Sequence, residues 1–298
     1  MDPKSVLLAY KKTIDEEIEK SASDFGVKTS LRDACIYALL NGGKRFRPSI
    51  VLMLGEALNS PVDITQAALA IEYFHCASLV ADDLPCMDDD DERRNRPSVH
   101  RVYGEAVALL VSYALIAAGY QQIKKGADIL RESGLPIASE ADSICVEALG
   151  NATHNTGIMG ATGGQHLDLF PPSLDKETLL EALFKKTVSL FEISFVLGWL
   201  YAGGDRSKID RVKELSYHFG MAFQIADDID DLLQDSEKEH QMNIAAVLGK
   251  DAAIEAVYNH IDSYQVLLKE LKIASPQLQS LTAMILKSFK TPEKALQS

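Results

Sequence analysis

The chain has 298 residues, enough for one large domain or two, and 47% of them are hydrophobic. A formal charge of -13, from 30 basic and 43 acidic residues, argues against nucleic acid, whose binders carry a basic footprint. Cys35, Cys76, Cys86 and Cys145 show no CxxC spacing and read as reduced thiols of a cytoplasmic protein.

In chain order, nearly every segment reads as helix. Val6, Leu7, Tyr10, Ile14 and Ile18 recur at three- and four-residue spacings over 4–21. Ser30 is expected to cap a helix over 31–40 that Asn41-Gly42-Gly43 stops. Pro48 suits the first turn of a third helix, and Asp63 opens a fourth. Residues 104–132 could form one long helix, followed by 136–155, by 175–201 capped at Asp175, by 207–235, by 250–272 and by 276–288. No stretch alternates in the manner of a strand. The start MDPKSVLLAYKK lacks the order of a signal peptide. The most apolar run, 106–120, falls short of the roughly 20 residues that span a bilayer. The expected fold is all-α, a single-domain helical bundle over 1–298 with no membrane span.

The fourth helix runs into the densest charge in the chain. Asp82, Asp83, Asp88, Asp89, Asp90, Asp91 and Glu92 put seven carboxylates in eleven positions, and Arg93 and Arg94 follow. Asp82 and Asp88, six apart, cannot share a face of an unbroken helix; Pro85 is expected to end the helix near 82–84 so that the chain folds Asp88 back towards Asp82. His75 lies seven residues before Asp82 and so on nearly the same face. An acidic surface loop is an equal account of one such run, whereas a calcium loop of D-x-D-x-D-G form is absent. A second acidic stretch changes the balance. In FQIADDIDDLLQD, Asp227 and Asp231 share a helix face with Gln224, and like charges at that spacing destabilise a helix by roughly 0.2–0.5 kcal/mol. Two such sites favour a shared centre for hard divalent cations such as Mg2+, which take carboxylate oxygens and substrate phosphates. The loop Gly42-Gly43-Lys44-Arg45-Phe46-Arg47-Pro48 places three cations at a helix entry, where phosphate is well received.

In these motifs the chain resembles the trans-isoprenyl diphosphate synthases. GGKRFRP, DDLPCMDDDDERR, GATGGQHLDL, KKT at 185–187 and FQIADDIDD occur in that family's order. The four residues between the first aspartate pair and Asp88 resemble bacterial and plant farnesyl and geranylgeranyl diphosphate synthases. The resemblance implies a bundle around a deep cavity and a homodimer. It implies several Mg2+ ions held by Asp82, Asp88, Asp227 and Asp231, with Asp83 and Asp228 hydrogen-bonding or acting through water. The implied reaction ionises an allylic diphosphate (dimethylallyl, geranyl or farnesyl); isopentenyl diphosphate attacks the cation and loses a proton to the departing diphosphate. Lys44, Arg47, His75 and Arg94 match the isopentenyl diphosphate site, and Arg93, Lys186, Thr187 and Gln224 the allylic site. Gln165 and Asp168 are further candidates in GATGGQHLDL.

Two positions depart from the family pattern. Ala81 stands where histidine is common before the first aspartate pair, and 235–256 lacks the usual lysine-bearing GK segments, with Lys238 and Lys250 as possible substitutes. A class I terpene cyclase would not need the Gly42–Arg47 loop, and a non-catalytic subunit usually lacks one acidic motif. For product length, the family places bulky residues four or five positions before the first motif to stop growth at fifteen carbons. Here Ser78 and Ala77 are small, and Phe74 is expected about 12 Å below Asp82 at 1.5 Å per residue. Phe74 as a floor favours geranylgeranyl over farnesyl diphosphate, and Ala77→Phe is expected to shorten the product.

Overall fold

The computed structural model describes residues 3–234 and 243–289. The helices are α1 Pro3–Ser21, α2 Ser30–Leu39, α3 Phe46–Ala57 and α4 Thr65–Asp82, then α5 Val99–Tyr103, α6 Glu105–Glu132, α7 Ala141–Thr156 and α8 Ala161–Leu169. They continue as α9 Lys176–Leu183, α10 Ser189–Tyr201, α11 Ile209–Gln234, α12 Ile244–Leu248, α13 Lys250–Glu270 and α14 Pro276–Ser288. Short polar side chains start several of them by accepting orphan amides: Thr29 from Arg32, Asp175 from Thr178, Asn243 from Ala246 and Ser275 from Leu278. The cap of α2 is thus Thr29, one residue before the expected Ser30.

α10 is the axis of the bundle. It is apolar on every side, as a helix enclosed by others must be, and 12 of its 13 residues are buried. It packs on α3, α4, α7 and α11. Phe191, Phe195 and Phe219 of α10 and α11 form an aromatic core with Phe46, Phe223 and Tyr264. α4 lies beside α10 and runs along α6, its most extensive partner. The all-α expectation holds, and the exceptions are local.

The first exception is a ribbon of β1 Glu92–Arg93 and β2 Arg96–Pro97, paired antiparallel. Its turn residues Arg94 and Asn95 both have positive φ, 58° and 62°, the requirement of a tight two-residue hairpin turn. Two-residue strands are too short to leave an alternation pattern. The second is a π turn, Phe184–Val188, inside the expected continuous helix 175–201. By length and composition α6 is apolar enough to cross a membrane, a test that a packed core helix also passes. It packs on α4, α5, α7 and α2 while leaving Leu109, Leu110 and Tyr113 exposed.

Candidate active site

α4 ends at Asp82, as Pro85 requires. The chain then turns back, and the Asp88 amide donates to the Asp82 carbonyl at 2.9 Å. Burial, and Asp88 beside it, push the Asp82 carboxyl up to about 7. The next residue takes a different place. Asp83 is 2% exposed and accepts from the Arg93 guanidinium, which also bridges to Asp90 at 2.7 Å. Arg93 is therefore anchored to its own acidic loop. Arg94 donates to the Gly42 carbonyl, and its guanidinium fills the space a Cβ on Gly43 would need. Gly42 and Gly43 have φ of 81° and 110°, conformations that glycine adopts without strain. The acidic loop and the basic loop are joined there.

Within the basic loop the cations part company. Arg45, 3% exposed, turns inward to Asp15, Glu72 and the Leu39 carbonyl. Arg47 lies on the cavity side, its guanidinium carbon 4.5 Å from the centre of the Phe191 ring. Its Nη1 is 3.4 Å from His75 Nε2, and its Nε has no hydrogen-bond partner among the described residues. Burial and the nearby Arg94 push Arg47 down to about 10. Burial and Arg47 hold His75 well below the usual imidazole range, so its ring is neutral. Lys44 is exposed, and with Arg47 it offsets part of the charge of Asp227.

The second acidic stretch is on α11. Burial, with Asp231 beside it, raises Asp227. Asp228 is 6% exposed and accepts from Gln224 at 2.9 Å and from the Ile244 amide at 2.8 Å; burial pushes it up to about 6. Gln224 in turn accepts from the Thr187 hydroxyl at 3.0 Å. Thr187 and Lys186 lie in the π turn, between the two acidic sites. Lys186 pairs with Asp168 and interacts with Asp82 and Asp88. Gly164 makes this possible, because a Cβ there would strike the backbone of Lys185 and Lys186. The second glycine of the pair in GATGGQHLDL is the sequence trace of this approach.

Below these groups lies a cavity of about 450 Å³. Arg47, His75, Asp82, Lys186 and Thr187 line one part, and Phe74, Ser78, Ile116, Leu169 and Leu190 are among the residues lining the rest. Gln165 also lines it, and neither its amide oxygen nor its nitrogen has a partner among the described residues. His75 and Asp82 do share the cavity side. Ala77 does not line it: the residue is 1% exposed, and its carbonyl accepts from Ser112 of α6 at 3.0 Å. The cavity face of α4 carries Phe74 and Ser78, four apart, so Ala77→Phe would press on packed protein instead of the cavity. Lys238 lies outside the described residues, and Lys250 is exposed at the start of α13. The later part of the atypical segment returns as Asn243 and Ile244, which bond Asp228 through its main-chain carbonyl and its carboxylate. Sequence reading missed that contact, although an Asn before an apolar run is a helix-start signal.

The donor set suits Mg2+ shared with a substrate. Among the described residues no three Asp, Glu, His or Cys side chains are close enough to cage an ion alone. Mg2+ is ordinarily held by one or two carboxylates, water and substrate phosphates. Asp82, raised by burial with Asp88 beside it, and Asp227, raised by burial with Asp231 beside it, are carboxylates of that kind, and Lys44, Arg47 and Lys186 stand beside them.

The raised carboxyl of Asp82 has a consequence for stability. Between about pH 4, its unfolded range, and about 7, the folded state holds a proton that the unfolded state has released. This contribution is favourable in acid and is lost as pH rises through 7. In chelator, Asp82→Asn should lose less stability than the wild type between pH 5 and 8, as read by chemical denaturation. Equal losses would contradict the buried-carboxylate reading.

An all-α bundle that sets two acidic helix ends and a group of cations over an apolar cavity defines a class that handles an anion on a hydrocarbon. Comparison with known proteins agrees. The polyprenyl synthetase family model matches residues 28–253. Geranylgeranyl pyrophosphate synthase 4 of Arabidopsis thaliana is 33% identical over 256 residues, covering 84% of this chain and 64% of the relative's length. Farnesyl diphosphate synthase of Bacillus subtilis is 34% identical over 241 residues, covering 78% of this chain and 77% of its own. The solved geranyltransferase structure from Legionella pneumophila superposes with a TM-score of 0.79 at 27% identity, covering 98% of both chains. The chain belongs to the polyprenyl synthetase family, and is a trans-prenyltransferase of that family.

Proposed function

We propose that the protein condenses isopentenyl diphosphate with allylic diphosphates to a short-chain product, geranylgeranyl diphosphate in preference to farnesyl diphosphate. One observation carries this: Arg47 lines an apolar cavity together with Asp82, and among the described residues it makes no ion pair at contact distance and keeps a buried Nε without a hydrogen-bond partner. A buried guanidinium N–H left without an acceptor is costly, and a diphosphate with a prenyl tail relieves that cost. Lys44, Arg47, His75 and Arg94 would bind isopentenyl diphosphate; Lys186, Thr187, Gln224 and Arg93 would flank the allylic diphosphate. Asp82, Asp88, Asp227 and Asp231 would hold Mg2+, which when bound supplies Lewis-acid stabilisation of the leaving diphosphate. Asp83 orients Arg93, and Asp228 orients Gln224, so these two act as positioning residues. Neutral His75 places an uncharged donor or acceptor beside Arg47 without adding repulsion. The apolar cavity excludes water from the allylic cation.

The test is incubation with isopentenyl diphosphate, an allylic diphosphate and Mg2+, with a chelator control. Two-substrate condensation supports the proposal; release of a hydrocarbon or alcohol from the allylic substrate alone would mark a cyclase instead. We also propose that the chain is one catalytic domain acting as a cytoplasmic homodimer. The exposed Leu109, Leu110 and Tyr113 of α6 support the dimer, and the unpaired cysteines a reducing compartment.

The cavity lining moves the length test from Ala77 to Ser78. Ser78→Phe is expected to shift the product to farnesyl diphosphate, and Phe74→Ala to lengthen it, as read by chromatography. A wild-type enzyme that stops at farnesyl diphosphate with excess isopentenyl diphosphate would refute Phe74 as the floor.

A further inference from the structure

We propose that Gly119 of α6 sets the depth of the tail cavity, by leaving room for the Phe74 ring to lie back against that helix. The inference rests on the prenyl chain growing into this cavity. Phe74 is 2% exposed and lines the cavity. A Cβ on Gly119 would stand 2.5, 2.8 and 2.9 Å from its Cε1, Cδ1 and Cζ, closer than carbon atoms pack. The ring therefore occupies the volume that any other residue at 119 would fill.

Two features limit the ring's other movements. The Ser112 hydroxyl donates to the Ala77 carbonyl at 3.0 Å, tying α6 to α4 two turns before Gly119, so the helices do not part easily. Tyr120 lies on the next flank with its ring centre 4.9 Å from that of Phe74. Its hydroxyl is held 2.7 Å from Thr156, which itself donates to the Ala152 carbonyl at 2.8 Å. The open space that Phe74 lines is the cavity. Glycine weakens a helix interior relative to alanine, so α6 gains nothing locally from Gly119; its use is the space it leaves. In an apolar pocket one methylene changes discrimination by about ten-fold or more, and a ring displaced by the width of a methyl acts on the same scale.

The experiment compares product lengths, with excess isopentenyl diphosphate, for the wild type, Gly119→Ala, Phe74→Ala and the double variant. Gly119→Ala is expected to lower the ratio of longer to shorter product by about ten-fold or more. The double variant is expected to match Phe74→Ala, because without the ring the added Cβ has nothing to displace. A wild-type product pattern in Gly119→Ala overturns the proposal, and so does a shortening that persists in the double variant. If Gly119→Ala does not fold, the double variant decides: it must fold and give the product of Phe74→Ala, and failure in either respect overturns the proposal. Absence of condensation by the wild type would instead overturn the proposed function.

Discussion

Asp82→Ala should lower turnover by about a hundred- to a thousand-fold or more while leaving helical content, read by circular dichroism, unchanged. Loss of a Lewis-acid contact withdraws several kcal/mol of transition-state stabilisation, and each 1.4 kcal/mol or so is a factor of ten. The fold does not depend on the side chain. Lys186 keeps its Asp168 partner, and the Asp82 carboxyl is held in a place that burial makes unfavourable for its charge. Without metal and substrate the variant should therefore melt at the same temperature as the wild type or higher, the usual relation between a strained site and stability. Asp227→Ala should behave alike, since burial and Asp231 raise it too. Near-normal turnover in either variant would sink the shared-metal model, and a large drop in melting temperature would assign these carboxylates a structural role.

The second large effect is expected from Arg47→Ala, which should raise the apparent KM for isopentenyl diphosphate by about ten- to a hundred-fold. Hydrogen bonds to charged groups contribute roughly 1.5–3 kcal/mol, and the forked guanidinium matches phosphate in a way that lysine does not. Arg47→Lys should therefore recover only part of the loss. Arg93→Ala offers the contrast. Its guanidinium already neutralises Asp83, a carboxylate 2% exposed. Removing it strands that charge, which costs stability. Arg93→Ala should act on the allylic substrate and lower the melting temperature, whereas Arg47→Ala should leave the melting temperature nearly unchanged. Unchanged isopentenyl diphosphate kinetics in Arg47→Ala would show that the basic loop has another use.

Some of this was determined by the sequence alone, because it is local. Periodicity marked the helix over 4–21, and the helices expected over 250–272 and 276–288 likewise have ends within a few residues of those observed. A six-residue carboxylate spacing cannot share one helix face, Pro85 allows the helix to end and the chain to reverse, and the Asp88 amide meets the Asp82 carbonyl. The helical wheel put His75 beside Asp82, and both line the cavity. What only the tertiary structure decided depends on neighbours far along the chain. Arg45 and Arg47 are two residues apart, yet one is drawn to Asp15 and Glu72 and the other stacks on Phe191. Successive helical residues differ by about 100° in direction. Whether Ala77 or Ser78 faced the cavity therefore rested on where α6 and α10 lie, which no property of α4 contains. The pairing of Lys186 with Asp168, and the room that Gly119 leaves for Phe74, arise in the same way. Close packing lets one missing Cβ decide where a ring from another helix can stand.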